Sequence, residues 1–174
     1  MNKRALVIVD FQNDFCGGSL GVGHDKWTPA CEYIHDWVKA NSPDKIVFTQ
    51  DWHPANHRSF KNHGGQWPVH CVANTSGTQI EHSMDDLMTA VPNTIFFHKG
   101  MNPDGEQYAA ELYDMETYKD IYVMGLCWDY CVNSTARYLA TQYPDCTIHM
   151  VRGGSAAIDD NAKILIDLPN MKVE

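Results

Sequence analysis

The sequence predicts an α/β fold: one domain over residues 1–174, built on a doubly wound, mostly parallel sheet with helices on both faces. Three observations carry this. Runs of β-branched and aliphatic residues alternate with segments of helical period. The runs are continuously apolar, as in strands covered from either side. Asp10, Asp51, Lys99 and Cys131 each stand at or just past the carboxyl end of a different run, where an open parallel sheet collects its functional groups.

Ala5-Leu6-Val7-Ile8-Val9 is the first strand and stops at Asp10. Residues 11–26, rich in Gly, Asn and Asp, read as loop; Thr28 as N-cap and Pro29 at the first helical position then open a helix whose buried stripe is Ala30, Ile34, Trp37 and Val38. Asn41-Ser42-Pro43 ends it, and Lys45-Ile46-Val47-Phe48-Thr49 is a second strand leading to Gln50-Asp51. From Asp51 to about Thr78 no period is visible. Such a segment in a compact domain is usually functional, and this one carries His53, His57, His63 and His70. A short helix around Met84–Met88 precedes a third strand, Thr94-Ile95-Phe96-Phe97-His98, which ends on Lys99-Gly100, and a brief helix near Glu106–Tyr113 leads to the fourth strand.

That strand, from Tyr122, breaks at Gly125 and gives way to a helical pattern in which Val132, Ala136, Leu139 and Ala140 fall at i, i+4, i+7 and i+8. Cys131 lies in the first turn, where the helix dipole and unpaired N–H groups favour thiolate and can bind an oxyanion. Tyr143-Pro144 closes the helix, Cys146–Val151 is a fifth strand, Asn161–Leu168 a last helix with Ala162, Leu165 and Ile166 inward, and Met171–Val173 a short edge strand.

A chain of 174 residues that is 44% hydrophobic holds a core without staples. Its formal charge of -9, with no basic cluster, argues against nucleic acid and against anionic membrane surfaces. Only a short apolar stretch separates Arg4 from Asp10, too little for a signal sequence, and no run approaches bilayer length, so a cytoplasmic address is the expectation. The six cysteines contain no C-x-x-C and are expected to stay reduced. Whether copies form a homo-oligomer is left open.

Cys131 taken alone reads first as a small buried apolar residue, and its position by itself does not overturn that. Its company decides. A carboxylate near a thiol can take its proton and return it to a departing amine, while a lysine between them holds the carboxylate and favours thiolate; Asp10, Lys99 and Cys131 form such a set. Asp51-x-His53 with His70 supplies one carboxylate and two imidazoles, a ligand set suited to Zn or Fe(II) with positions left open. His57 is either a further ligand or an outer partner that orients Asp51 or His53, and the second is preferred. Phe15 and Trp67 offer flat walls for a flat aromatic ligand, or else ordinary packing.

Five stretches together resemble the cysteine hydrolases of the isochorismatase superfamily and, within it, the nicotinamidase/pyrazinamidase group: Val9–Phe15, Gln50–Phe60, Trp67–Cys71, His98–Gly100 and Gly125–Cys131. The resemblance implies that Cys131 attacks a nicotinamide-like carboxamide, with Asp10 as base and then acid and Lys99 completing the triad. It further implies an oxyanion hole from the backbone N–H groups of Cys127 and Cys131 beside a cis peptide at Leu126-Cys127. One divalent metal ion, zinc first and iron or manganese next, would sit on Asp51, His53 and His70 and bind the ring nitrogen of a substrate held between Phe15 and Trp67. The chain departs from the family at Cys127 and Trp128, where a small residue followed by Thr or Ser is common. Related hydrolases without the cysteine or without the metal loop fit these residues less well. A non-enzymatic metal- or redox-binding protein would leave Asp10 and Lys99 unexplained.

Overall fold

Strands β1 (Arg4–Val9), β2 (Lys45–Asp51), β3 (Thr94–Lys99), β4 (Asp120–Leu126), β5 (Thr147–Ala156) and β6 (Met171–Val173) form one sheet in a computed structural model that describes residues 2–174. The order is β3-β2-β1-β4-β5-β6 and every neighbouring pair is parallel. Chain direction across the sheet reverses between β1 and β4, which opens a crevice beyond their carboxyl ends.

The two-residue period of a strand sorts β1 between two cores. Ala5, Val7 and Val9 pack with Val47, Val123 and Leu139 on one face; Leu6 and Ile8 pack with Ile46, Phe48 and Ile34 on the other. Ala5 to Val9 are all 0% exposed, which is why this strand is apolar at every position. Helix α2 (His24–Asn41), which follows the short helix α1 (Asn13–Cys16), covers the second face through Ala30, Cys31, Ile34 and Val38. Helix α3 (Asn133–Gln142) covers the first through Ala136, Leu139 and Ala140. A side chain at Gly125, which has φ +126, would place its Cβ 2.2 Å from the Val9 carbonyl oxygen; β1 and β4 approach this closely only over a glycine.

The structure corrects several expectations. Helix α2 begins at His24 after Gly23, not at Pro29; the Thr28 hydroxyl bonds the His24 ring rather than a helix N–H, and Pro29 lies inside the helix. The Met84–Met88 helix is instead a pair of 3₁₀ turns, His82–Met84 and Leu87–Thr89. No helix forms near Glu106–Tyr113, where the Gly105 carbonyl is taken by His57 and the Ala110 N–H by Thr135. The last helix is also missing. The Asn133 side chain accepts from Leu165 N–H and donates to Leu165 C=O, displacing the helical partners of both, and Leu165 and Ile166 point outward. β5 runs on through Arg152 to Ala156, with its register against β4 shifting between Val123 and Gly125. β3 is not covered on both faces: as the edge strand it leaves Ile95 and Phe96 exposed.

Candidate active site

All four residues expected at strand ends meet in the crevice. Asp10 follows β1 with φ +46, a left-handed conformation that aspartate tolerates better than most side chains. Its N–H donates to the Thr49 carbonyl at 3.1 Å, and the Thr49 hydroxyl donates to Asp10 Oδ1 at 2.7 Å. Asp51 closes β2, one strand over, and is tied to Gln12: Asp51 N–H donates to Gln12 Oε1, and Gln12 Nε2 donates to the Asp51 carbonyl, both at 2.9 Å. Gln12 was given no role of its own in the sequence reading; it lies three residues past the end of β1, within the Val9–Phe15 stretch.

Lys99 links the set. Its Nζ lies 2.8 Å from Asp10 Oδ2, 2.5 Å from Asp51 Oδ1 and 3.4 Å from Cys131 Sγ, with its side chain 0% exposed. Asp10, Asp51 and Cys131 present atoms within 4.8 Å of one another. The Lys99–Asp10 approach is off the direction of a hydrogen bond, so Asp10 Oδ2 is the one buried side-chain oxygen or nitrogen without a directed partner among the described residues. A proton acceptor is therefore available within reach of the sulfur.

Burial raises the Asp10 carboxyl above its usual range, opposed by Lys99 and reinforced by Asp51. Burial also works to raise Asp51, but Lys99 and His53 outweigh it and hold this carboxyl well below the usual range. For Lys99 burial favours the neutral amine, and the two carboxylates overcome it to keep an ammonium. Burial pushes the Cys131 thiol well up despite Lys99, so the resting sulfur is protonated and needs a base.

Cys131 sits in a π-helical turn, Trp128–Val132, rather than in the first turn of α3 as expected. Tyr130 and Val132 both donate to the Cys127 carbonyl, and this wider turn leads into α3. The Leu126-Cys127 peptide is cis. Trp128 is buried, with the Arg152 guanidinium 5.4 Å from its ring centre, so the departure at this position is met by a cation–π contact with β5.

Asp51, His53 and His70, all buried, bring one ligand atom each within 4.8 Å of the others. His53 Nδ1 donates to the Gly100 carbonyl at 2.8 Å and His70 Nδ1 to the Pro68 carbonyl at 2.8 Å, which leaves each Nε2 as a lone-pair donor. His53 Nε2 is 3.4 Å from Asp51 Oδ2. Two imidazoles and a carboxylate converging in this way fit a divalent cation, whose binding would displace the proton that Asp51 favours on His53. His57 does not join them: its Nδ1 pairs with Ser59 Oγ at 2.7 Å and its Nε2 with the Gly105 carbonyl at 3.0 Å, while its ring stacks on His53. Its contacts place it outside the Asp51, His53 and His70 group.

Both groups open on a cleft of about 420 Å³ that Phe15, Trp67, Tyr130 and Cys131 line. Trp67 packs edge-on against Tyr130, and its Nε1 donates to the Tyr108 hydroxyl at 3.1 Å. Tyr108 and Tyr130 were not singled out in the sequence.

Residues 4–164 match the Isochorismatase domain family. The chain belongs to the isochorismatase family. Within it, the sequence is 36% identical over 165 residues to the nicotinamidase of Escherichia coli K12, covering 78% of this chain and 75% of that protein. Two solved family members share the fold over nearly their whole length. One is PnC1 from L. infantum in complex with nicotinate, at 26% identity and TM-score 0.79, covering 99% of this chain and 96% of that one. The other is the pyrazinamidase of Pyrococcus horikoshii in complex with zinc, at 31% identity and TM-score 0.72, covering 91% and 88%.

Proposed function

We propose that this chain is a metal-containing cysteine amidohydrolase that converts nicotinamide, and pyrazinamide-like carboxamides, to the carboxylate and ammonia through a thioester, serving NAD salvage. The observation that carries this is the buried ammonium of Lys99, which touches the carboxylate of Asp10, the carboxylate of the metal set and the sulfur of Cys131 at one end of an aromatic-walled cleft.

As the Cys131 sulfur bonds to the carboxamide carbon, Asp10 Oδ2 takes the thiol proton and Lys99 compensates the charge that moves between them. The former carbonyl oxygen becomes an oxyanion facing the N–H groups of Cys127 and Cys131. Asp10 then gives its proton to the nitrogen, the C–N bond breaks and ammonia leaves a thioester. Water, deprotonated by the freed Asp10, attacks the thioester carbon; the C–S bond breaks, the thiol regains a proton from Asp10, and the carboxylic acid departs, losing its proton to solvent to become the carboxylate. Phe15 and Trp67 hold the ring flat between them. A divalent ion on Asp51, His53 and His70, zinc first, supplies a coordination site for the ring nitrogen.

Purified protein should release ammonia from nicotinamide and lose that activity on chelation, with recovery on adding zinc, iron or manganese; coupled ammonia detection is the measurement. No release by metal-loaded protein would overturn the reading. A pH dependence follows from Asp10. The base must be ionised to accept the thiol proton, and its carboxyl is raised, so kcat/KM should fall as pH drops through that raised value, giving an acid limb above the usual carboxylate value of about 4. A limb at the unperturbed value would remove Asp10 from the role of base.

A further inference from the structure

Resting on the metal reading above, we infer that Gln107 is a positioning residue for the metal site, acting on His53 through the Lys99–Gly100 peptide. His53 presents Nε2 to the metal position only while its Nδ1–H is held by the Gly100 carbonyl. Gly100 is a weak support for that task when left to itself. Its φ is +69, and a Cβ there would lie 2.5 Å from His53 Cε1, so the backbone must run bare against the imidazole. A bare glycine has the widest choice of backbone angles of any residue. Something else must fix it.

The peptide plane before Gly100 is pinned at both ends. The Lys99 carbonyl accepts from Trp52 N–H at 2.9 Å, and the Gly100 N–H donates to Gln107 Oε1 at 3.0 Å. The first bond extends the β2–β3 pairing. The second comes from outside the sheet, from a stretch without regular secondary structure, and it is the only side-chain acceptor given to Gly100 N–H among the described residues. Gly100 is buried, so losing this acceptor leaves an N–H that turns the plane to find another. Because Gly100 C=O follows that plane through a single φ/ψ pair, the His53 ring turns with it. The same stretch holds His57 through the Gly105 carbonyl and Trp67 through the Tyr108 hydroxyl, so Gln107 belongs to a segment whose polar groups are spent on site residues.

The test is zinc affinity of the chelator-stripped protein, by competition with a chromophoric chelator, together with the visible spectrum of the cobalt-loaded form. The proteins compared are wild type, Gln107→Met, Gln107→Glu and His53→Ala. Gln107→Met keeps length and bulk but has no comparable acceptor; it should weaken zinc binding about tenfold and shift the cobalt band. Gln107→Glu keeps an acceptor oxygen at the same reach and should restore wild-type affinity and spectrum, a rescue that a purely space-filling role would not produce. The inference is overturned if Gln107→Met binds zinc as wild type does, or if Gln107→Glu is as weak as Gln107→Met while His53→Ala is weaker than both. If wild type takes up no zinc, or His53→Ala binds as tightly as wild type, the metal site itself is wrong.

Discussion

Cys131→Ala should abolish ammonia release from nicotinamide, with a loss on the order of 10⁴-fold or more, because it removes the atom that forms the covalent intermediate and leaves only binding and oxyanion contacts. The protein should stay folded: Cys131 is a small buried residue, and alanine fits its space in the turn before α3. Cys127→Ala should retain turnover. In the proposed mechanism residue 127 contributes only a main-chain N–H, which alanine keeps, and its thiol, pushed up by burial, lacks the Lys99 contact that the Cys131 sulfur has. This pair of variants separates the hydrolase from a redox protein built on the same two cysteines. A redox role needs both sulfurs and predicts equal loss at either position; a hydrolase predicts loss at Cys131 alone. Mass spectrometry of protein quenched during turnover adds a second readout, an acyl adduct on wild type and on Cys127→Ala that Cys131→Ala lacks.

The strand ends were legible in the sequence because burial on both faces demands unbroken apolar runs, and a polar residue that ends such a run stands out. Asp10 directly after Ala5–Val9 is of this kind, and Asp51 comes two positions after the Lys45–Thr49 strand. The grouping of Asp51, His53 and His70 was legible for another reason: the histidines sit in a stretch with no period of its own, and such stretches are usually functional. What failed was helix prediction wherever side chains compete for the backbone. Ala162, Leu165 and Ile166 have helical spacing, yet Asn133 takes both polar groups of Leu165 from across the chain. A helix this short would have been marginal in any case. The stretch around Glu106 fails alike, since Arg58 donates to the Asp104 carbonyl and His57 to that of Gly105. Such partners lie about 30 to 50 positions away in sequence, beyond the reach of any local pattern. Gln12 and Thr49, which tie Asp51 and Asp10 in place, were missed by the same route: each reaches a strand end 39 positions away.

Lys99→Met should cost about 3–5 kcal/mol of folding stability as well as activity, the usual effect of removing one member of a buried charge cluster. The reason is specific to this site: Asp10 and Asp51 are both buried and close together, and Lys99 is the ammonium between them. The pH dependence gives the sharper test. In wild type the two carboxyls pull in opposite directions. Asp51 is held below its unfolded value, so its contribution is present above the unfolded value of about 4 and is lost as pH falls through the folded value. Asp10 is raised, so its contribution is present below about 4 and is lost as pH rises through the raised value. Without Lys99 both carboxyls face burial and each other, only His53 still favours an ionised Asp51, and both folded values should rise, so that the variant loses stability more steeply as pH rises. The stability gap between wild type and Lys99→Met, from urea unfolding of chelator-treated protein, should therefore widen between about pH 5 and about pH 7.5. A gap of the same size at both values would mean that Lys99 does not balance this pair of buried carboxylates, and the charge arrangement on which the catalytic reading rests would have to be abandoned.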